Sequence, residues 1–220
     1  MRQTYFFLYF LPLDILNNML YNNDTIKILQ TEVNIMDYKI LLTEEEILEK
    51  VRCTAKSIAT YLKDNDVEEL ILMPIMNGSI FYTVDLMRAL TKQLTNIGCS
   101  CKLQIESIRI KSYENNSNAG TKLTCKDMDL IDVRGKNILI VDDVYDTGNT
   151  FKWLVNELKS RGVKTILSTV FVDKTCNHDS QYTPNFIAHV LTENKFLVGY
   201  GMDDCGYYRE WTHLGYIELS

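Results

Sequence analysis

Apolar residues in this chain recur in two forms, short unbroken runs and stripes three or four positions apart, and the two forms alternate. Thr43 followed by Glu44, Glu45 and Glu46 reads as a capping box, in which a hydroxyl and a carboxylate satisfy the open amides of a first helical turn. Behind it, Ile47, Leu48, Val51, Ala55, Ile58, Ala59 and Leu62 form one apolar stripe at helical spacing. Residues 70–75 are continuously apolar, as expected of a strand buried on both faces in a parallel sheet. Ile80, Val84, Met87 and Leu94 mark a second helix, whose methionine and aromatic side chains are read as core. Residues 103–110 read as a third strand, and a polar, Asn-rich tract follows it. Residues 138–141 are again apolar throughout. Phe151, Leu154, Val155 and Leu158 then repeat at helical spacing until Gly162 stops the helix. Further strands are expected at 165–172, 186–191 and near Leu197. Strands alternating with helices predict an α/β fold, a mainly parallel sheet flanked by helices through right-handed crossovers.

Residues 1–35 differ in kind. Residues 5–11 are apolar and aromatic, but Pro12 and Asp14 end the run well short of a membrane span. Arg2 ahead of an apolar core suggests a signal-like segment, yet no small-residue cleavage site follows, and the remainder is Asn-rich. Met36 is an alternative start. The chain is therefore divided into an extension of unknown role (1–35) and one domain (36–220), with no Pro/Gly linker or internal repeat in the body.

Composition narrows the function. Of 220 residues, 23 are Lys or Arg and 29 are Asp or Glu, a net charge of −6, so no nucleic-acid partner is expected. The six cysteines contain no CxxC pair, which argues against a zinc site and for reduced thiols in the cytoplasm. No membrane association is expected.

The strongest chemical signal is at 142–150. A buried strand runs into Asp142 and Asp143, then Asp146, Thr147, Gly148, Asn149 and Thr150 open a helix. Ligands of open α/β sheets sit at strand carboxyl ends, and small residues at a helix start offer backbone amides to an anion. An acid pair beside a phosphate cradle points to a sugar phosphate with a divalent metal. Any one of these residues alone would read as a turn or a cap. Other groupings recur along the chain: Met76-Asn77-Gly78-Ser79 at a strand end; Arg109-x-Lys111-Ser112-Tyr113; Lys174 after a strand; Phe196-Leu197-Val198-Gly199-Tyr200; Asp203; and Arg209.

Taken in order, these segments resemble the type I phosphoribosyltransferases, specifically the hypoxanthine-guanine branch, and the resemblance runs from about residue 36 to 220. It implies that family's fold with a small base-binding hood. The implied reaction transfers phosphoribosyl from phosphoribosyl diphosphate to hypoxanthine or guanine, with Mg2+ as cofactor. By this resemblance Asp142 and Asp143 hold the ribose hydroxyls and the metal, and residues 146–150 cradle the 5′-phosphate. Asp146 is the catalytic base at purine N7. Met76, Asn77 and Gly78 hold pyrophosphate through a cis Met76–Asn77 peptide, with Ser112, Tyr113 and Arg209. Relatives often carry Lys where Asn77 stands, so less charge faces the pyrophosphate here. Ser112 and Tyr113 open a lid, residues 114–126, that is disordered until substrate arrives. Lys174 bonds the 6-oxo group, Phe196 stacks on the base, Leu197 offers backbone contacts, and Asp203 serves the base and a second metal. A homodimer or homotetramer is implied. Two rivals share parts of the pattern, a transferase for another base and an RNA-binding regulator on the same fold.

Overall fold

The computed structural model describes residues 38–114, 121–178 and 182–217; the expectations for residues 1–35 and for the centre of the lid lie outside these. Helix α1 (Glu44–Asp64) starts where its sequence says it should: Thr43 Oγ1 accepts from Glu46 N and Glu46 Oε2 accepts from Thr43 N, closing the capping box. Its buried face is Ile47, Val51, Thr54, Ala55, Ile58, Ala59 and Leu62, with Leu48 at the edge.

The central sheet has five strands in the order β3-β2-β6-β7-β8, all parallel: β2 (Glu69–Pro74), β3 (Lys102–Ile105), β6 (Asn137–Tyr145), β7 (Thr165–Lys174) and β8 (Phe186–Leu191). Alternation along each strand explains the unbroken apolar runs. Leu70, Leu72, Leu139 and Val141 face one core, under α1 and α2 (Ile80–Asn96). Ile71, Met73, Ile138 and Ile140 face the other, under α3 (Asn149–Ser160). Every residue of β2 after Glu69 is therefore buried on one side or the other.

Four sequence expectations need correction. The third strand is short, ending at Ile105; beyond it only Ile108 bridges back to Ile75. The apolar face of α2 is Tyr82, Leu86, Leu90 and Leu94 with Thr83, whereas Ile80 and Val84 are 41% and 39% exposed. Tyr82 set the phase: its ring packs on Phe171 and its hydroxyl reaches Thr169 at 2.7 Å, which the aliphatic pattern did not reveal. The flanks of the lid are not irregular, since β4 (Lys111–Glu114) and β5 (Thr121–Thr124) pair antiparallel in a separate ribbon. The strand at Leu197 does not join the parallel sheet. It is β9 (Phe196–Val198) in an antiparallel three-stranded sheet, order β1-β10-β9, with β1 (Tyr38–Leu42) and β10 (Leu214–Ile217).

Candidate active site

Chain direction places the cleft. From β2 the chain crosses through α2 to β3 on one side, and from β6 it crosses through α3 to β7 on the other. The two helices cover opposite faces, so the carboxyl ends of β2 and β6 flank the sheet's switch point, where a crevice opens.

β6 pairs with β2 only as far as Val141 but with β7 as far as Tyr145. Asp142 and Asp143 thus lie within the strand, not after it as the apolar run suggested, on a stretch whose β2 neighbour has left. That neighbour turns away through Ile75, whose N–H donates to Val141 O at 3.0 Å, and Met76, whose N–H donates to Ile108 O at 2.8 Å. The Met76–Asn77 peptide is cis. Ser79 Oγ donates to Ile75 O at 2.7 Å and ties the loop to the start of α2. Gly78 sits directly against Asp143: a Cβ here would lie 2.0 Å from Asp143 Oδ2. Gly201, at φ +100°, approaches from the hood side, and its Cβ would lie 2.0 Å from Gly78 O.

The acid pair is electrostatically costly. Burial, then the neighbouring Asp143 charge, raises Asp142 well above the usual carboxylate range. Asp143 is raised as well, mainly by burial, against the opposing pull of hydrogen bonds and the positive Arg209. Arg209 Nη1 donates to Gly201 O at 2.5 Å and Nη2 pairs with Asp203 Oδ1 at 2.6 Å. Asp203 Oδ2 also accepts from Gly206 N at 2.6 Å. Asp203 and Arg209, read separately from the sequence, are thus partners. Among the described residues no three His, Cys, Asp or Glu side chains converge as a metal cage.

Residues 146–150 turn tightly into the helix start. Gly148 takes φ +80°, reversing the chain so that α3 begins at Asn149, and Asn149 N donates to Thr147 Oγ1 at 3.4 Å. A crevice of about 600 Å³ opens alongside, lined in part by Thr147, Asn149, Thr150 and Lys152. Asp146 is exposed at the rim, and its Oδ1 accepts from Asn177 Nδ2 at 2.6 Å.

Lys174 is buried at the end of β7, Leu197 is buried in β9, and the neighbouring Phe196 is 39% exposed. Asn77 Oδ1 accepts from Arg109 Nη2 at 3.1 Å, which sets a guanidinium beside the cis loop. Ser112 and Tyr113 fall on β4, and their side chains lie outside the described residues. Asn177 and Gly201, which the structure brings against Asp146 and Gly78, were not singled out from the sequence. Gly201 follows Gly199 in a glycine-tyrosine-glycine run that signals close backbone approach, but Asn177 carries no local signal.

A parallel five-stranded sheet with an acid pair at its switch point, a glycine-reversed helix start beside it and a small antiparallel hood is the architecture of the phosphoribosyltransferase class of α/β proteins. The phosphoribosyl transferase domain family matches residues 37–204. A hypoxanthine-guanine phosphoribosyltransferase of Aquifex aeolicus is 31% identical over 166 residues, 75% of this chain and 86% of that protein. One from Mycobacterium avium is 29% identical over 185 residues, 81% and 85% of the two chains. A solved hypoxanthine phosphoribosyl transferase of Trypanosoma cruzi superposes with TM-score 0.72 at 26% identity, over 85% of this chain and 94% of that one. Another structure of the Trypanosoma cruzi enzyme, in complex with the product IMP, gives 0.71 at 26% identity, over 85% and 97%. The chain belongs to the phosphoribosyltransferase family, in its hypoxanthine-guanine branch.

Proposed function

We propose that the chain is a purine salvage enzyme that transfers the 5-phosphoribosyl group of phosphoribosyl diphosphate to hypoxanthine or guanine, giving IMP or GMP and pyrophosphate. The observation that carries this reading is the meeting of Asp143, Gly78 and Gly201 at the switch point, with Arg209 bonded to Gly201. Approaches this close leave no room for a side chain at either glycine and seat the Asp143 carboxylate directly against the 76–78 loop.

In this reading Asp142 and Asp143 hold the ribose hydroxyls, and the amides and hydroxyls of residues 146–150 take the 5′-phosphate. Met76, Asn77 and Gly78 offer backbone to the pyrophosphate, with Arg109 and Arg209 supplying charge. An all-oxygen, charge-strained acid pair suits a hard divalent ion, and magnesium keeps most of its shell as water and substrate oxygen, so no closed protein cage is needed. Magnesium held at Asp142 and Asp143, with Asp203 serving a second ion, would neutralise charge on the departing pyrophosphate. Lys174 presents donors only, which favours a 6-oxo purine over adenine. Phe196 stacks on the base beside Leu197, and Asp146 takes the N7 proton as N9 attacks the anomeric carbon. Ser112 and Tyr113 close over the site and exclude water that would hydrolyse the ribosyl centre.

Ile80, Phe81 and Val84 form an exposed apolar patch on α2, which supports a homodimer or homotetramer. No helix among the described residues is long and apolar enough to cross a membrane, and a cytoplasmic enzyme is the reading in keeping with its substrates. Residues 1–35 are proposed as an extension outside the catalytic domain.

The test is a spectrophotometric assay with phosphoribosyl diphosphate, magnesium and a panel of purine and pyrimidine bases. Hypoxanthine and guanine should be consumed and adenine, orotate and uracil left alone. Loss of a positioned base costs about 10²–10⁴-fold, so Asp146→Asn should lower kcat by that order with an unchanged circular dichroism spectrum. Near-normal turnover would remove Asp146 from the role.

A further inference from the structure

We propose that Asn177 is a positioning residue for the reaction: its side-chain amide holds the Asp146 carboxylate in place and ties it to the segment that carries the base. This rests on the reading of Asp146 as the proton acceptor.

Asn177 lies on a single 3₁₀ turn, Thr175–Asn177, that begins directly after Lys174. Its Nδ2 donates to Asp146 Oδ1 at 2.6 Å and to Asn194 Oδ1 at 3.2 Å. A primary amide nitrogen carries two hydrogens, so both are used. The orientation of the amide follows from chemistry, because a carboxylate accepts and only the NH2 end can face it. Asp146 Oδ2 receives no bond from Asn177 and is left to the purine.

The turn itself is pinned. Thr175 Oγ1 donates to Leu191 O at 3.4 Å, and His178 Nε2 meets Asp173 Oδ1 at 2.6 Å with the Tyr145 ring edge-on to the imidazole at 4.8 Å. Asp173 is buried beside Lys174 on β7. Asn194 stands two residues before Phe196. One amide therefore spans three functional segments: the acid after β6, the turn that follows Lys174, and the approach to the aromatic ring on β9. An exposed carboxylate at a loop samples several rotamers, and the ring-nitrogen proton is transferred only to the one that faces it. Fixing that rotamer before the base arrives is a proximity effect, and it acts on the transfer step rather than on binding of phosphoribosyl diphosphate.

The test is single-turnover transfer to hypoxanthine at saturating phosphoribosyl diphosphate and magnesium, in a double-mutant cycle of Asn177→Ala with Asp146→Asn. A hydrogen bond to a charged group accounts for about a tenfold change, so Asn177→Ala should slow transfer about tenfold with the KM for phosphoribosyl diphosphate unchanged. In the Asp146→Asn background the same substitution should have no further effect, because the group it positions is gone. Asn177→Asp, which sets a second carboxylate against the first, should slow transfer more than alanine does. The turn is at the surface, so each variant should melt with the parent.

Three results would overturn the inference. Wild-type transfer by Asn177→Ala beside a crippled Asp146→Asn would do so and leave Asp146 as the base. An equal loss in both backgrounds would place the action of Asn177 elsewhere. Wild-type transfer by Asp146→Asn would remove the base assignment and this inference together.

Discussion

Gly78 and Gly201 meet at one point of the cleft, yet a methyl group would do different things at each. At Gly78 the new Cβ would meet the end of the Asp143 side chain at 2.0 Å, and a carboxylate can swing aside. At Gly201 it would meet the Gly78 carbonyl at 2.0 Å, and that oxygen belongs to the backbone. Gly201 also holds φ +100°, which an L side chain resists at about 1–3 kcal/mol. Gly78→Ala should therefore fold with little change in melting temperature and lose activity, by about 100-fold if Asp143 moves by about 1 Å. Gly201→Ala should lose both stability and activity. Turnover near the wild-type rate in folded Gly78→Ala would show that Asp143 does not need its position. The sequence marked Gly78 and Asp143 as functional, one in each of two motifs, but it could not show that they touch. Contact between positions 65 residues apart is a property of the sheet order, β2 beside β6, which no local pattern encodes.

Elements were legible where one face is apolar and its cap is explicit. α1 carries its own start signal and α3 its own stop at Gly162, whose φ is +77°. α2 was mis-phased because Tyr82 and Thr83 face inward while Ile80, Phe81 and Val84 face out. The hood was harder to see: β1, β9 and β10 are five, three and four residues long, and pairing joins the two ends of the domain. The interface between α1 and edge strand β8 carries a prediction of its own. His189 Nε2 is buried there with no hydrogen-bond partner among the described residues. Burial, and then Lys50 on α1, lowers the affinity of His189 for a proton, against the weaker opposing pull of Glu46. A base with a lowered folded value takes its proton first in the unfolded chain. Its contribution to stability is complete above the ordinary value of about 6.5 and is lost as pH falls from there through the lowered folded value. Urea unfolding at about pH 7.5 and about pH 5.5, on either side of that ordinary value, should show a smaller drop for His189→Gln than for the parent. Equal drops would exclude His189 from the acid sensitivity.

Across the whole molecule, the sheet spends stability on its switch point. Two half-buried carboxylates lie side by side on β6 where β2 no longer covers them, and both are raised by burial. For an acid raised in the folded state the cost is absent below the ordinary value of about 3.9 and full above the raised one, so the ligand-free protein carries it at neutral pH. Asp142→Asn removes one charge and keeps the shape, and an amide can still take the bond that Asp143 N donates at 3.1 Å. The variant should melt above the parent at neutral pH, by about 2–4 °C for each kcal/mol recovered in a domain of this size. Magnesium with phosphoribosyl diphosphate should then reverse the order. A ligand that binds only the folded form stabilises in proportion to its affinity, and on the proposed reading the parent keeps the charge that holds the ion and ribose. Melting curves of both proteins, with and without that mixture, decide the matter. A variant less stable than the parent without ligand would mean that the Asp142–Asp143 pair holds the fold together, and that the cleft is not where this enzyme trades stability for binding.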